Sequence, residues 1–404
     1  MSRLSTAALL AILIAVPALA VSPRQKTEFR GFTCVPQMTK ADLVDIKNRW
    51  GANIIRVMIW PANWQGKYPS MEAHFQMLLE NVRRLLPEAG QLGIAVVLDL
   101  HQIPNDHPAK SIPGNPYDKT KEANKYSSWQ YWHDPSNLEV MKQSWAQIAK
   151  MTAQYPKQTI WLELLNEPLD WDSFPSYPKQ LPMWYEQTIA VIRQYDRFHP
   201  VAVSPGPGSL SWGFKDFPLI KDPDNNVIYV FHMWQPIGYT LQGVNQMSPQ
   251  PWPGVSPSDD NVLWNKAKLL EDLRWAIAFQ DKYHVRMYVS ELGVPRFAPG
   301  RDAFLRDELN IIESHGWDWT YHAYRESPIW SPEASTEAAL IRRTSSNGKT
   351  VEKKITVDSI ESIMHHPDNV SYVYQPYGSY EARKTNIVND LGKILQKYMA
   401  RNKK

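Results

Sequence analysis

Two glutamates in this chain sit where an apolar run gives way to a loop. Glu167 lies in WLELLNEPLDW and Glu291 in MYVSELGVP. A carboxylate does nothing for a strand, since its charge must be solvated or paired. Pro168 donates no backbone hydrogen bond, so the first of these strands must stop there. Both glutamates therefore belong to a rim. With one carboxyl protonated and the other ionised, such a pair can give a proton to a leaving oxygen while the second group attacks or activates water. Arg56 in NIIRVMIW, Asp99 and His101 in LDLHQ, Asn166 beside Glu167, and His232 in YVFHMWQP hold similar strand-end positions.

The elements that must position these residues alternate regularly. Short β-branched runs predict strands over residues 28–33, 53–59, 94–100, 160–165, 201–204, 227–231, 286–290 and 318–322. Helical periodicity falls between them, over 40–50, 71–89, 138–152, 183–197, 261–282 and 302–314, with a last helix over about 381–400. The Gly- and Pro-rich segment 206–219 makes the element between the fifth and sixth strands weak. Near-continuous apolar strands imply burial on both faces, hence a parallel sheet. Eight such units favour a closed α/β barrel, (β/α)8, of the TIM type. Residues 325–380, with the polar stretch TSSNGKTVEKK, read as an insertion on the barrel before the last helix, within one domain spanning 21–404.

In such a barrel the chemistry sits at the C-terminal ends of the strands. Two carboxylates facing each other across one barrel mouth are what glycoside hydrolysis requires. For either glutamate alone, a structural ion pair is the simpler account. Both together, flanked by Asn, His and Arg from other strands, point to a catalytic pair. Glu163, in phase with Glu167 but nearer the interior, is expected to pair with an arginine or histidine. Two other classes are weighed against this. Asp99 and His101 with His107 could suggest a metal-dependent barrel hydrolase, but no strand ends in His-x-His. A non-catalytic sugar-binding barrel would not need both carboxylates.

These residues carry a resemblance. The chain from Phe29-Arg30-Gly31-Phe32 to Trp319 resembles glycoside hydrolase family 5, the cellulase family of retaining barrel enzymes. The resemblance rests on Leu165-Asn166-Glu167-Pro168, Val289-Ser290-Glu291-Leu292-Gly293, Arg56, His101 and His232. It implies Glu167 as acid/base and Glu291 as nucleophile, with Asn166 on the sugar 2-hydroxyl and the two histidines orienting sugar and carboxylates. Trp234 stands where the family usually has a tyrosine touching the nucleophile. The sugar-stacking platform is expected at Trp319 or at a residue of the insertion. A cellulase-like endo-β-1,4-glucanase is the expected activity, with mannanase, xyloglucanase or glycoconjugate glycosidase as alternatives.

The remaining features agree with a polymer substrate. The chain has 17 Trp and 19 Tyr, and Trp60, Trp64, Trp171, Trp212, Trp234 and Trp252 fall in loops after strands. A net charge of +3 over 404 residues leaves no nucleic-acid footprint. Residues 1–20 read as a signal peptide: Arg3, an apolar run from Ala7 to Val16, then Ala18-Leu19-Ala20. Cleavage there predicts a secreted or periplasmic protein, off the membrane. The sole cysteine, Cys34, predicts no disulfide. A monomer with no cofactor and no metal is expected, its partner a β-linked oligo- or polysaccharide.

Overall fold

The computed structural model describes residues 25–61, 68–105, 128–242, 250–259, 261–327, 329–334, 338–344, 350–356, 370–373 and 384–403. Residues 1–20, Trp64 and His107 lie outside these. The strands are β1 (Arg30–Cys34), β2 (Ile54–Ile59), β3 (Ala95–Leu100), β4 (Ile160–Glu163), β5 (Val201–Val203), β6 (Val227–Met233), β7 (Gly254–Ser256), β8 (Val262–Trp264), β9 (Arg286–Leu292), β10 (Asp318–Tyr321), β11 (Ala338–Thr344), β12 (Thr350–Thr356) and β13 (Val370–Val373). Eight of them, β1 to β6 with β9 and β10, close into a parallel barrel in the order β1-β10-β9-β6-β5-β4-β3-β2. All eight are the strands expected from the sequence.

Alternation along each strand builds two cores. Ile54, Ala95, Val97, Trp161, Ala202, Ile228, Val230 and Tyr288 form the cluster inside the barrel. The larger cluster, including Ile55, Val57, Val96, Leu162 and Val289, packs outward under the helices. Asp318 seals the N-terminal end, accepting from the backbone N–H groups of Glu28 and Phe29 at 2.9 and 2.8 Å and from Arg286 Nε at 2.9 Å.

Three expected elements differ. The helix expected over 261–282 is preceded by β8, which pairs antiparallel with β7. It begins only after Asn265, whose side chain accepts from Lys268 N and so sets the N-cap; it then breaks at Leu273 between Lys266–Asp272 and Arg274–Tyr283. The last helix spans Asp390–Met399, because Asn389 caps it. The weak element between β5 and β6 is one 3₁₀ turn, Ser211–Lys215, anchored by Phe214 against Phe279 at 4.8 Å.

Within the insertion, β12-β11-β13 form a separate antiparallel sheet. Its approach is tied to the barrel by buried charges. Arg325 pairs with Glu333 at 2.8 Å and with Asp42, in the helix Lys40–Asp45, at 2.7 Å. Among the described residues, no helix is long and apolar enough to cross a membrane.

Candidate active site

Arg56 is the hub. Ile54 faces the barrel interior, so alternation sends Arg56 inward as well, and it is fully buried. Its Nε and Nη2 donate to the two Glu163 oxygens at 2.6 and 2.9 Å. Nη1 donates to Glu291 Oε1 at 2.6 Å, and Nη2 to Asn166 Oδ1 at 2.8 Å. Asp99 Oδ2 lies 3.0 Å from Nη2 and 2.6 Å from His101 Nδ1. Glu163 thus has the structural arginine expected for it. Asn166 Nδ2 completes the arc, 3.3 Å from His101 Nε2.

One guanidinium faces three carboxylates here, and the proton affinities of two of them, Glu163 and Glu291, move in opposite directions. Burial pushes the Glu163 carboxyl up, with the Asp99 charge adding to it and Arg56 opposing. Burial would raise Glu291 too, but the positive charges of His232 and Arg56 overcome it and hold that carboxyl far below the usual range. For His232, burial favours the neutral ring, yet Glu291 and Glu167 together raise its proton affinity.

Glu291 reaches the interior through a bulge. Tyr288 faces in and Val289 out, so plain alternation would turn Glu291 outward. The pairing of β6 with β9 jumps from Phe231↔Val289 to His232↔Glu291, leaving Ser290 extra. The Ser290 carbonyl is held by Thr33 and Thr320 hydroxyls at 3.3 and 2.6 Å. The extra residue re-aims the carboxylate at Arg56.

Glu167 is placed differently. Its φ of 43° is left-handed, a conformation that costs a non-glycine residue and must be imposed by its surroundings. The Gly- and Pro-rich loop after β5 imposes it. Ser209 Oγ accepts from Glu167 N at 3.2 Å, and Gly208 N donates to Pro168 O at 3.0 Å. At Gly206, φ is 61° and a Cβ would lie 2.4 Å from Pro168 O, so only glycine fits. Ser209 O also accepts from His232 N at 2.8 Å, so one loop positions both residues. His232 Nδ1 lies 3.0 Å from Glu167 Oε1 and 3.7 Å from Glu291 Oε2. The Glu167 side chain is 44% exposed and that of Glu291 only 7%.

The aromatic expectations divide. Trp234 Nε1 donates to Glu291 Oε2 at 3.2 Å. Its ring fits over the strand end because Gly293 has no Cβ, which would stand 3.2 Å from the indole. Trp60 packs on His101 at 5.0 Å, and Trp171 is exposed. Trp212 is half-buried. Trp252 is a buried staple on Phe304 at 4.8 Å.

Trp319 is a correction. It is fully buried on the outer face of β10, with Nε1 donating to Glu313 of the helix Arg301–His315 at 3.2 Å, so it cannot stack on a ligand in the mouth. Asp318 and Thr320 take the inward positions of that strand. Trp330, at the start of the insertion, stands at the mouth instead, 5.8 Å from Trp234. His322 joins them and was not singled out from the sequence. The only signal for it was its place one residue past the end of β10.

Glu167, His232 and Glu291 bring ligand atoms within 4.8 Å of one another. Both Glu291 oxygens already accept N–H donors and Arg56 supplies the counter-charge, so this set suits proton and nucleophile chemistry better than a divalent ion.

The family model "Cellulase (glycosyl hydrolase family 5)" matches residues 21–325. Endoglucanase 3 of Fibrobacter succinogenes is 29% identical over 112 residues, which is 27% of this chain and 16% of that protein. Among solved structures, Cel5A of Thermotoga maritima in complex with cellobiose aligns with TM-score 0.57 and 19% identity, over 76% of this chain and 91% of that one. The same enzyme in complex with mannotriose gives TM-score 0.57 and 20% identity, over 77% and 94%. Endo-glycoceramidase II from Rhodococcus sp. gives TM-score 0.55 and 19% identity, over 77% of each chain. At these identities the structures speak for the fold, and the family match carries the chemistry: this chain belongs to glycosyl hydrolase family 5 and is a glycoside hydrolase.

Proposed function

We propose that this enzyme is a retaining endo-β-1,4-glucanase working by double displacement. The observation that carries the reading is the approach of the Glu167 and Glu291 carboxylate oxygens to within 4.8 Å. An inverting pair needs roughly 6.5–9.5 Å to seat a water, whereas a retaining pair stands about 5–5.5 Å apart. Glu291, kept ionised by His232 and Arg56 despite its burial, is suited to attack the anomeric carbon. Glu167, exposed at the rim, gives its proton to the leaving oxygen. It then takes one from the water that attacks the same carbon and releases Glu291. Asn166, held by Arg56 and His101, is placed to meet the sugar 2-hydroxyl.

A glucan is favoured over mannan, xyloglucan or a glycoconjugate by the cellulase family match. Neighbouring structures include complexes with cellobiose and with mannotriose, so mannan is the second reading. Export through residues 1–20 and action as a monomer complete the proposal. The test is a panel of soluble β-linked polysaccharides with product length and anomeric configuration followed by NMR. Internal cleavage of β-1,4-glucan with retained configuration is expected. Release of single terminal sugars, or an inverted product, would contradict it.

A further inference from the structure

His322 follows the outward-facing Tyr321 at the end of β10. Its backbone N–H donates to Leu292 O at 2.8 Å, which brings its ring to the mouth beside Glu291. The ring stands edge-on to two indoles, Trp234 at 5.6 Å and 76° and Trp330 at 5.6 Å and 70°. Its Nε2 lies 3.4 Å from Glu326 Oε2, while Nδ1 is buried with no hydrogen-bond partner among the described residues. The His322 and Glu326 side chains are 13% and 15% exposed.

The enclosure is itself braced. Trp330 Nε1 donates to Thr240 O at 3.1 Å, and the Thr240 hydroxyl donates to Trp234 O at 2.5 Å. With the indole N–H groups of Trp330 and Trp234 spent on Thr240 and Glu291, the rings have only apolar surface to offer a ligand. An imidazole wedged between them and tethered on one nitrogen cannot swing. A histidine serving packing alone has no need of a carboxylate partner at a ligand mouth, and buried polar atoms are rarely left unpaired without a reason. Burial disfavours the imidazolium, but the bond to Glu326 and the charge of Glu291 outweigh it and raise the ring's proton affinity.

We propose that His322 and Glu326, enclosed by Trp234 and Trp330, form a hydroxyl-reading wall on the Glu291 side of the cleft and set which sugar configuration the enzyme accepts there. The assignment to the glycone side rests on Glu291 being the nucleophile. Apolar ring surface covers a sugar face without regard to most hydroxyls, whereas a fixed hydrogen-bonding pair rejects a sugar whose hydroxyl is absent or misplaced. His322 and Glu326 are therefore specificity-determining residues, and the bond-breaking steps remain with Glu167 and Glu291.

The experiment compares the full-length protein with His322→Phe and Glu326→Gln. kcat/KM is measured on dinitrophenyl β-glucoside, β-mannoside and β-xyloside, and Trp fluorescence is titrated with the corresponding β-1,4-disaccharides. The ratio between best and second-best glycoside should fall about tenfold or more in His322→Phe, through KM more than kcat. Glu326→Gln should move it the same way by roughly threefold. A fall by one common factor on all three glycosides, or no change, overturns the proposal. If His322→Phe does not fold, Glu326→Gln and Trp330→Leu are read by the same ratio. If the unmodified protein hydrolyses none of them, the glycosides are too short for an endo-acting cleft, and the double-displacement reading is left to its own test. The fluorescence ranking of the disaccharides then decides, and a ranking unchanged in the variants overturns the wall.

Discussion

Arg56 Nη1 donates to Glu291 Oε1 at 2.6 Å inside the barrel, and the rest of the same guanidinium is spent on Glu163 and Asn166. One buried cation thus fixes Glu291, the proposed nucleophile, Glu163 in the barrel interior, and Asn166, the amide proposed to meet the sugar. The guanidinium fork makes these contacts in a way that a lysine ammonium cannot.

Arg56→Lys should therefore keep the charge and lose the geometry. kcat is expected to fall by about 100-fold or more, from misplacement of Glu291 and Asn166. Arg56→Met leaves Asp99, Glu163 and Glu291 facing one another in the interior, and destabilisation on the order of 3–5 kcal/mol is expected. Denaturant unfolding and single-substrate kinetics check both. Near-normal kcat in Arg56→Lys would remove Arg56 from the positioning role.

The pH dependence of stability follows from His232. Its proton affinity is raised above the ordinary imidazole value of 6.5 when folded, through Glu291 and Glu167 acting against burial. A raised folded-state value adds stability that is fully present below the unfolded-state value and is lost as pH rises through the folded one. The melting temperature should accordingly decline on the alkaline side of 6.5. Glu291 acts in the opposite sense. Its depressed value adds stability above 4.5 that is lost as pH falls. His232→Asn should flatten the alkaline decline and also weaken the acid limb, because it removes one of the positive charges that hold the Glu291 carboxyl down. An unchanged alkaline slope would show that His232 is not protonated in the folded enzyme.

Trp234 and Trp319 should separate function from packing. Trp234→Phe keeps the ring but removes the N–H on Glu291 Oε2, and a loss of about tenfold in kcat is expected with little change in melting temperature. Trp319→Phe removes the bond to Glu313 and some buried area, costing about 1–3 kcal/mol of stability with unchanged kinetics. Kinetics and thermal melts on both variants are sufficient. A kinetic defect confined to Trp319→Phe would restore it to the site.

Most of the barrel was legible because its strands are buried on both faces and read as apolar runs such as IAVVLDL. Arg56, Asp99, His101, Asn166, Glu167, His232 and Glu291 were legible as polar residues ending those runs. Orientation was harder. The Ser290 bulge that turns Glu291 inward depends on pairing between strands distant in sequence, and no local pattern reveals it. Without register, Trp319 and His322 at the end of β10 could not be assigned to opposite faces. A Gly- and Pro-rich segment that looked like a weak element proved to be the loop that seats Glu167 and His232. Trp330 sits at the mouth through the path of the insertion, which local sequence does not encode.

The central claim is that Glu291 forms the glycosyl–enzyme and Glu167 moves the protons. Its most direct test is turnover of a dinitrophenyl β-glycoside by Glu167→Ala and by Glu291→Ala, with and without azide, and with product stereochemistry read by NMR. Such a leaving group needs no proton, so Glu167→Ala should show an initial burst followed by slow turnover. Azide should speed that turnover and yield a glycosyl azide of retained configuration. Glu291→Ala should show no burst, and azide should attack from the vacated face to yield the inverted glycosyl azide. The reverse assignment of the two products would swap the roles, and substantial azide-independent activity in both variants would contradict the two-carboxylate mechanism itself.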